Sequence, residues 1–144
     1  MQTASMNKLS EAAAQRGKPF RVLIVDDERY VREVFRDYCE LSQALEIDLA
    51  HGGQEAVEKV TAGKYDLVTM DLIMPELSGL DALIAIKRIA PQLPVMIITG
   101  NATQKLVHEA GLLGACRVLY KPVMLEDFLN EITTTLLQTK DYVK

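Results

Sequence analysis

The sequence has 144 residues, of which 49% are hydrophobic and 25% are charged, and its formal net charge is −4. This length suits one domain with a substantial core, and the negative charge argues against nonspecific binding to nucleic acid. No apolar stretch approaches the roughly 20 residues that cross a bilayer, and the polar N-terminus lacks a signal-peptide core. Cys39 and Cys116 have the spacing of neither a metal site nor a redox motif. We therefore expect a cytoplasmic protein with reduced thiols and no direct nucleic-acid or membrane partner.

Short apolar runs alternate with segments of helical periodicity along the chain. Residues 1–19 are rich in Ala, Ser and Gln, which predicts a loosely held N-terminal tail or a short extra helix. The apolar runs predict five strands, at about Phe20–Val25, Ile47–Ala50, Leu67–Met70, Val95–Ile98 and Cys116–Tyr120. A helix is predicted after each strand, the first from about Glu28 into the low forties and the others around Ala56–Val60, Leu80–Ile86, Leu106–Leu113 and Leu125–Leu136.

This alternation determines the predicted fold class. Strands that alternate with helices form a parallel sheet, and apolar runs without in/out alternation fit strands that are buried on both faces. We predict an α/β fold of the flavodoxin-like type, a five-stranded parallel sheet in the order 2-1-3-4-5 with helices on both faces. In this winding, ligands bind beyond the carboxyl ends of the first and third strands, where the strand order reverses.

Polar residues follow four of the predicted strands at that edge of the sheet. Asp26 and Asp27 follow the first strand, Asp71 the third, Thr99 the fourth and Lys121 the fifth. Gathered carboxylates repel one another unless a cation or a proton neutralises them, and Mg²⁺ prefers such oxygen ligands. We expect the cation on Asp27 and Asp71, with Asp26 close by. Asp71 is the best candidate for a nucleophile that forms an aspartyl-phosphate, and Lys121 and Thr99 would then contact phosphoryl oxygens.

The same residues stand in a series of short motifs along the chain. These are Val25-Asp26-Asp27-Glu28, Met70-Asp71-Leu72-Ile73-Met74-Pro75, Ser78-Gly79, Ile98-Thr99-Gly100 and Gly114-Ala115 leading to Tyr120-Lys121-Pro122. Each motif alone is weakly specific, but all of them in this order and at this spacing are very specific. Together they resemble the motifs of the receiver domain of two-component response regulators. The resemblance covers about residues 20–140, so the chain divides into residues 1–19 and a receiver domain at 20–144.

The resemblance implies a role for each residue at the predicted site. Asp71 would accept a phosphoryl group from a sensor histidine kinase or a histidine phosphotransfer protein. Mg²⁺ would be held by Asp27, Asp71 and the backbone carbonyl of Ile73, with Asp26 acting partly through water. Lys121 would pair with Asp71 and later with its phosphate.

Further implications concern the switch and the output. Thr99 would move to hydrogen-bond the phosphoryl group, and the Lys121-Pro122 peptide would be cis. The protein would be a phosphoacceptor that assists its own phosphorylation and dephosphorylation rather than an enzyme. It would signal as a monomer or weak homodimer, by onward phosphotransfer or through a downstream protein target. That target would bind the face formed by the fourth predicted helix, the fifth strand and the last helix.

One position departs from the family pattern, and several other functions remain to be weighed. Receivers often carry an aromatic residue three positions before the lysine, where this chain has Val118. A phosphatase of the haloacid dehalogenase type needs a second acid two residues after its nucleophile, and here that position is Ile73. A flavin carrier would need a phosphate loop where Asp26-Asp27-Glu28 stands. A phosphorylation-independent interaction module on a receiver fold is the alternative that stays open.

Overall fold

The computed structural model describes residues 4–142, except for the side chains of residue 5 and residues 139–142. Within that range the chain alternates strands and helices, and the five strands are all parallel in the order β2-β1-β3-β4-β5, as predicted. None of the described helices combines the length and the apolar character that a membrane span requires. The elements in chain order are α1 (Ala4–Arg16), β1 (Phe20–Val25), α2 (Arg29–Cys39), β2 (Leu45–Ala50), α3 (Gly53–Ala62), β3 (Leu67–Met70), α4 (Gly79–Ile89), β4 (Val95–Thr99), α5 (Gln104–Leu112), β5 (Arg117–Tyr120) and α6 (Leu125–Tyr142).

Helices cover both faces of the sheet and form two hydrophobic clusters with it. The first cluster joins the sheet to α1, α2 and α6, and the second joins it to α3, α4 and α5. Every residue of β3 and β4 is buried, because these interior strands have helices on both faces. The edge strand β5 is only partly covered. The carboxyl ends of β3 and β4 therefore project from strands that are buried along their whole length.

Several element bounds differ from the predictions by one to three residues. β2 begins at Leu45 rather than Ile47, because its first residue pairs with Phe20 of β1. β4 extends through Thr99, which pairs with Tyr120 of β5, and β5 begins one residue later than predicted. α2 ends at Cys39 instead of continuing into the low forties, because residues 40–45 form hydrogen-bonded turns that lead directly into β2.

The N-terminal segment forms a packed helix, so the expectation of loose attachment is wrong. Leu9 of α1 is fully buried and belongs to the same cluster as Leu136 of α6. Arg16, at the end of α1, forms an ion pair with Asp66 at 3.3 Å. The helix ends at Gly17, whose φ of 77° is in the left-handed region that glycine adopts without a steric penalty. The helix thus adds a layer to the core beside α6.

Candidate functional site

The three predicted aspartates meet at the carboxyl edge of the sheet. Val25 and Met70 are register partners in neighbouring strands, so the residues that follow them leave the sheet side by side. One carboxylate oxygen from each of Asp26, Asp27 and Asp71 lies within 4.8 Å of the other two. Asp26 and Asp71 are only 5% and 7% exposed, whereas Asp27 faces solvent. The aspartates that the sequence predicts to converge are therefore together.

This arrangement fits a hard divalent cation. Carboxylate oxygens are the donors that Mg²⁺ prefers, and two oxygens on opposite sides of one Mg²⁺ lie about 4.2 Å apart. The spacing of up to 4.8 Å among the aspartate oxygens is close to that value. Small side-chain rotations would bring them to a common ion. Asp27 is exposed, so the cluster contacts solvent on its side.

Lys121 bridges the two buried carboxylates. Its Nζ donates to Asp26 Oδ2 at 2.9 Å and to Asp71 Oδ2 at 2.8 Å. Burial acts to lower the pKa of Lys121, but the hydrogen bonds that its ammonium donates to Asp71 and Asp26 outweigh it and raise the pKa to about 12. The ammonium is therefore charged at neutral pH and offsets one of the carboxylate charges.

Backbone amides hold the remaining oxygens of the same two carboxylates. The Ile73 N–H donates to Asp71 Oδ1 at 3.0 Å, and the Glu28 N–H donates to Asp26 Oδ1 at 2.9 Å. Each carboxylate is thus fixed by its own backbone amide and by the Lys121 ammonium that the two share. The amide contacts form local turns of the kind that aspartate favours. The Ile73 carbonyl itself stays a predicted metal ligand.

Thr99 lies at the same edge, on the strand next to Asp71. It is fully buried, and in the part of the chain that the structure describes its Oγ1 has no hydrogen-bond partner. Buried hydroxyls are usually paired, because an unpaired one costs about 1–3 kcal/mol. Its carbonyl accepts from the Lys121 N–H at 2.9 Å, and the following Lys121-Pro122 peptide is cis, as expected. Among the described residues, the Thr99 hydroxyl is therefore left without the hydrogen bond that a buried hydroxyl usually makes.

Gly79 is the first residue of α4 and presses against the backbone that leaves Asp71. A Cβ here would collide with the Asp71 carbonyl oxygen and lie 2.5 Å from the Leu72 Cα.

Because both of these are backbone atoms, which cannot move aside easily, we expect Gly79→Ala to lower the free energy of unfolding by about 3 kcal/mol, measured by urea denaturation. The control is Gly111→Ala in α5, where a Cβ meets nothing within 4 Å. It should be neutral or stabilise by up to about 1 kcal/mol. Equal stability of the two variants would contradict this role for Gly79.

Two features of the site were not predicted from the sequence. Arg32, in the first turns of α2, donates from Nη1 to the Asp26 carbonyl at 2.7 Å. The sequence places Arg32 one helical turn beyond Glu28, which would allow its side chain to reach back to the acidic loop. Many surface arginines have similar positions, so this spacing alone does not predict a role at the site. A cavity of about 440 Å³ also opens beside Asp71 and Lys121. Its apolar lining comes from side chains far apart in the sequence, which include Phe35 and Phe128.

Val118 stands where receivers often carry an aromatic residue, and the structure shows the surroundings of this position. Val118 is half-buried against the second cluster, whereas Tyr120 is 59% exposed at the end of β5. No aromatic side chain therefore occupies the position three residues before Lys121.

Comparisons with known proteins identify the family. The sequence profile of the response regulator receiver domain matches residues 22–133. The chain is 35% identical over 116 residues to the chemotaxis protein CheY of Bacillus subtilis, which covers 81% of this chain and 97% of that protein. It is 34% identical over 121 residues to the response regulator MprA of Mycobacterium ulcerans, 83% of this chain, but spans only 51% of that relative's length.

Solved structures give the same result. A response regulator receiver domain from Clostridium thermocellum superimposes with a TM-score of 0.77 at 30% identity, covering 84% of this chain and 97% of that one. The profile match, the similarity to CheY along nearly its whole length and the Asp-Lys cluster at the sheet edge lead to one conclusion. The chain belongs to the family of response regulator receiver domains, which act in two-component signalling.

Proposed function

We propose that this chain is a phosphoacceptor that takes up a phosphoryl group on Asp71 with the help of Mg²⁺. The observation that carries the proposal is the Lys121 ammonium bound to both Asp26 and Asp71, beside a third carboxylate within 4.8 Å. A site of this composition neutralises the oxygens of a transferring phosphoryl group and presents a carboxylate to its phosphorus atom. The donor would be a sensor histidine kinase or a histidine phosphotransfer protein, as in the receiver family.

The transfer step assigns one role to each residue. A carboxylate oxygen of Asp71 forms a bond to phosphorus, while the bond between phosphorus and the donor histidine nitrogen breaks and the nitrogen keeps the electron pair. Lys121 contacts a phosphoryl oxygen, since its ammonium already lies 2.8 Å from Asp71. Asp26, Asp27 and Asp71, with the Ile73 carbonyl, would hold Mg²⁺, which would offset the charge of the phosphoryl oxygens.

Thr99 would report that the phosphoryl group is present. Its buried hydroxyl has no partner among the described residues, so a hydrogen bond to a phosphoryl oxygen would satisfy it. Because Val118 stands where an aromatic side chain often moves, the response here would depend on the loop 100–103 and on α5. A ligand shifts an equilibrium only when its affinity differs between the two states. The signal is therefore a difference in partner affinity between the two states.

The output surface would be the face formed by α5, β5 and α6. Leu112, Tyr120 and Met124 are exposed on or beside these elements, and β5 is the open edge of the sheet. A protein partner that binds this face would cover these exposed apolar side chains. The phosphorylated form would bind a downstream protein there, or pass the phosphoryl group onward.

Labelling with acetyl phosphate tests the proposal. We expect the mass of the wild-type chain to increase by one phosphoryl group with Mg²⁺ and to stay unchanged when EDTA removes the metal. Intact-protein mass spectrometry measures both. No uptake under any condition would favour a phosphorylation-independent interaction module on the receiver fold.

The metal dependence gives a separate prediction for Asp27. We expect Asp27→Ala to weaken Mg²⁺ binding by about 100-fold, because a direct ligand matters at least as much as residues that only orient one. Isothermal titration calorimetry measures the affinity. Asp27 is exposed and lies among like charges, so the melting temperature without metal should stay the same or rise. A large fall in that temperature would show a structural role for Asp27 instead.

A further inference from the structure

Arg32 is tied to the loop that carries the acidic pair. Its half-buried side chain reaches back over the first turn of α2, and Nη1 donates to the Asp26 carbonyl at 2.7 Å. That carbonyl belongs to the peptide group that joins Asp26 to Asp27. A guanidinium donor on this oxygen fixes the plane of the peptide, and with it the direction in which the Asp27 side chain leaves the backbone.

Asp27 depends on this contact more than Asp26 does. Asp26 is held independently, since its N–H donates to the Ala50 carbonyl at 3.2 Å and its carboxylate binds Lys121 and the Glu28 amide. For the exposed Asp27 we find no side-chain hydrogen bond or ion pair among the described residues. Its carboxylate is therefore directed mainly by the backbone on either side of it.

We propose that Arg32 is a positioning residue for the cation site, acting through the Asp26-Asp27 peptide to aim the Asp27 carboxylate at Asp26 and Asp71. This inference rests on the proposed function, because it needs Mg²⁺ to bind at these aspartates. Residues that orient metal ligands without touching the metal typically contribute 10–100-fold in affinity.

The charge of Arg32 has the opposite effect to its hydrogen bond. A guanidinium near the site repels Mg²⁺, so removing the charge alone would tighten binding. Losing the hydrogen bond frees the peptide plane and weakens binding. The sign of the change in affinity therefore separates the two roles of the side chain.

Calorimetric titration of Mg²⁺ into the full chain tests the proposal. We expect Arg32→Met, which keeps the aliphatic stem but no donor, to bind Mg²⁺ about tenfold more weakly than wild type. Arg32→Lys, which restores one donor and the charge, should recover about half of the lost binding free energy. The matched control is Arg29→Met, which removes the same charge from the same helix. Arg29 follows the acidic loop directly, but its side chain is 81% exposed and pairs with Glu33 rather than with that loop, so its loss should leave the affinity unchanged or slightly higher.

A double-mutant cycle adds a result that a general loss of structure would not produce. If Arg32 acts through Asp27, Arg32→Met should change the residual Mg²⁺ affinity little in an Asp27→Ala background. If Arg32→Met does not fold, as judged by thermal unfolding, the cycle is run with Arg32→Lys. In the wild-type background we expect Arg32→Lys to bind Mg²⁺ about threefold more weakly, because one donor restores only part of the orienting contribution. In the Asp27→Ala background it should leave the Mg²⁺ affinity unchanged.

The outcomes separate the inference from the proposed function. Affinity in Arg32→Met equal to or tighter than wild type would overturn the positioning role, and so would an equal loss in Arg29→Met or in both backgrounds of the cycle. Absence of Mg²⁺ binding in the wild-type chain would instead overturn the metal site itself.

Discussion

Replacing Asp71 with asparagine is expected to abolish phosphoryl uptake from acetyl phosphate, while the chain stays folded. An amide does not act as a nucleophile toward phosphorus, but its oxygen can still accept from the Ile73 N–H that now holds Asp71 Oδ1 at 3.0 Å. Removing one of three clustered carboxylates also relieves repulsion. Intact-protein mass spectrometry of wild type and Asp71→Asn, each treated with acetyl phosphate and Mg²⁺, measures the effect.

The control for this experiment is another aspartate changed in the same way. Asp37 lies on α2, where its exposed side chain pairs with Arg36, so Asp37→Asn should label like wild type. Equal labelling of Asp71→Asn and wild type would show that the acceptor is a different residue.

Removing the ammonium of Lys121 is expected to have a large effect on stability. Lys121→Met would leave Asp26 and Asp71, which are almost fully buried, without their shared cation. Breaking a buried ion pair from one side typically costs about 3 kcal/mol or more. We expect the free energy of unfolding without metal to fall by about that amount in urea denaturation. Added Mg²⁺ should restore more stability to the variant than to wild type, because it replaces the lost positive charge.

Lys105 supplies the comparison for this prediction. It is exposed on α5, so Lys105→Met should change stability by less than about 0.5 kcal/mol. If Lys121→Met proved as stable as Lys105→Met without metal, the ion pairs of Lys121 would contribute little to the fold.

The carboxyl edge of the sheet could be predicted from the sequence because it depends on local patterns. Uninterrupted apolar runs marked the strands, and their alternation with helical segments determined the winding and its reversal point. Since parallel strands end at the same edge, Asp26, Asp71 and Lys121 had to approach one another, and they do. What these residues do with phosphate and metal remains a proposal that the labelling and titration experiments test.

Features that depend on tertiary packing could not be predicted from the sequence patterns. α1 has few large apolar side chains, so its periodicity did not reveal that Leu9 is buried under other helices. The backward reach of Arg32 depends on how α2 leaves the acidic loop. The cavity beside the site depends on side chains such as Phe35 and Phe128, which come from different helices. Hydrophobic periodicity predicts single helices and strands, whereas these features arise from contacts between different elements.

The packing of α1 beside α6 also affects how the molecule assembles during synthesis. Leu9 and Leu136 come from opposite ends of the described chain, yet they share one hydrophobic cluster. Contacts between residues so distant in sequence close a very long loop, and such contacts slow folding. On the ribosome, α1 emerges well before α6, so the contacts between these two helices form only after the strands between them have been made. The packing of α1 is therefore expected to be completed late.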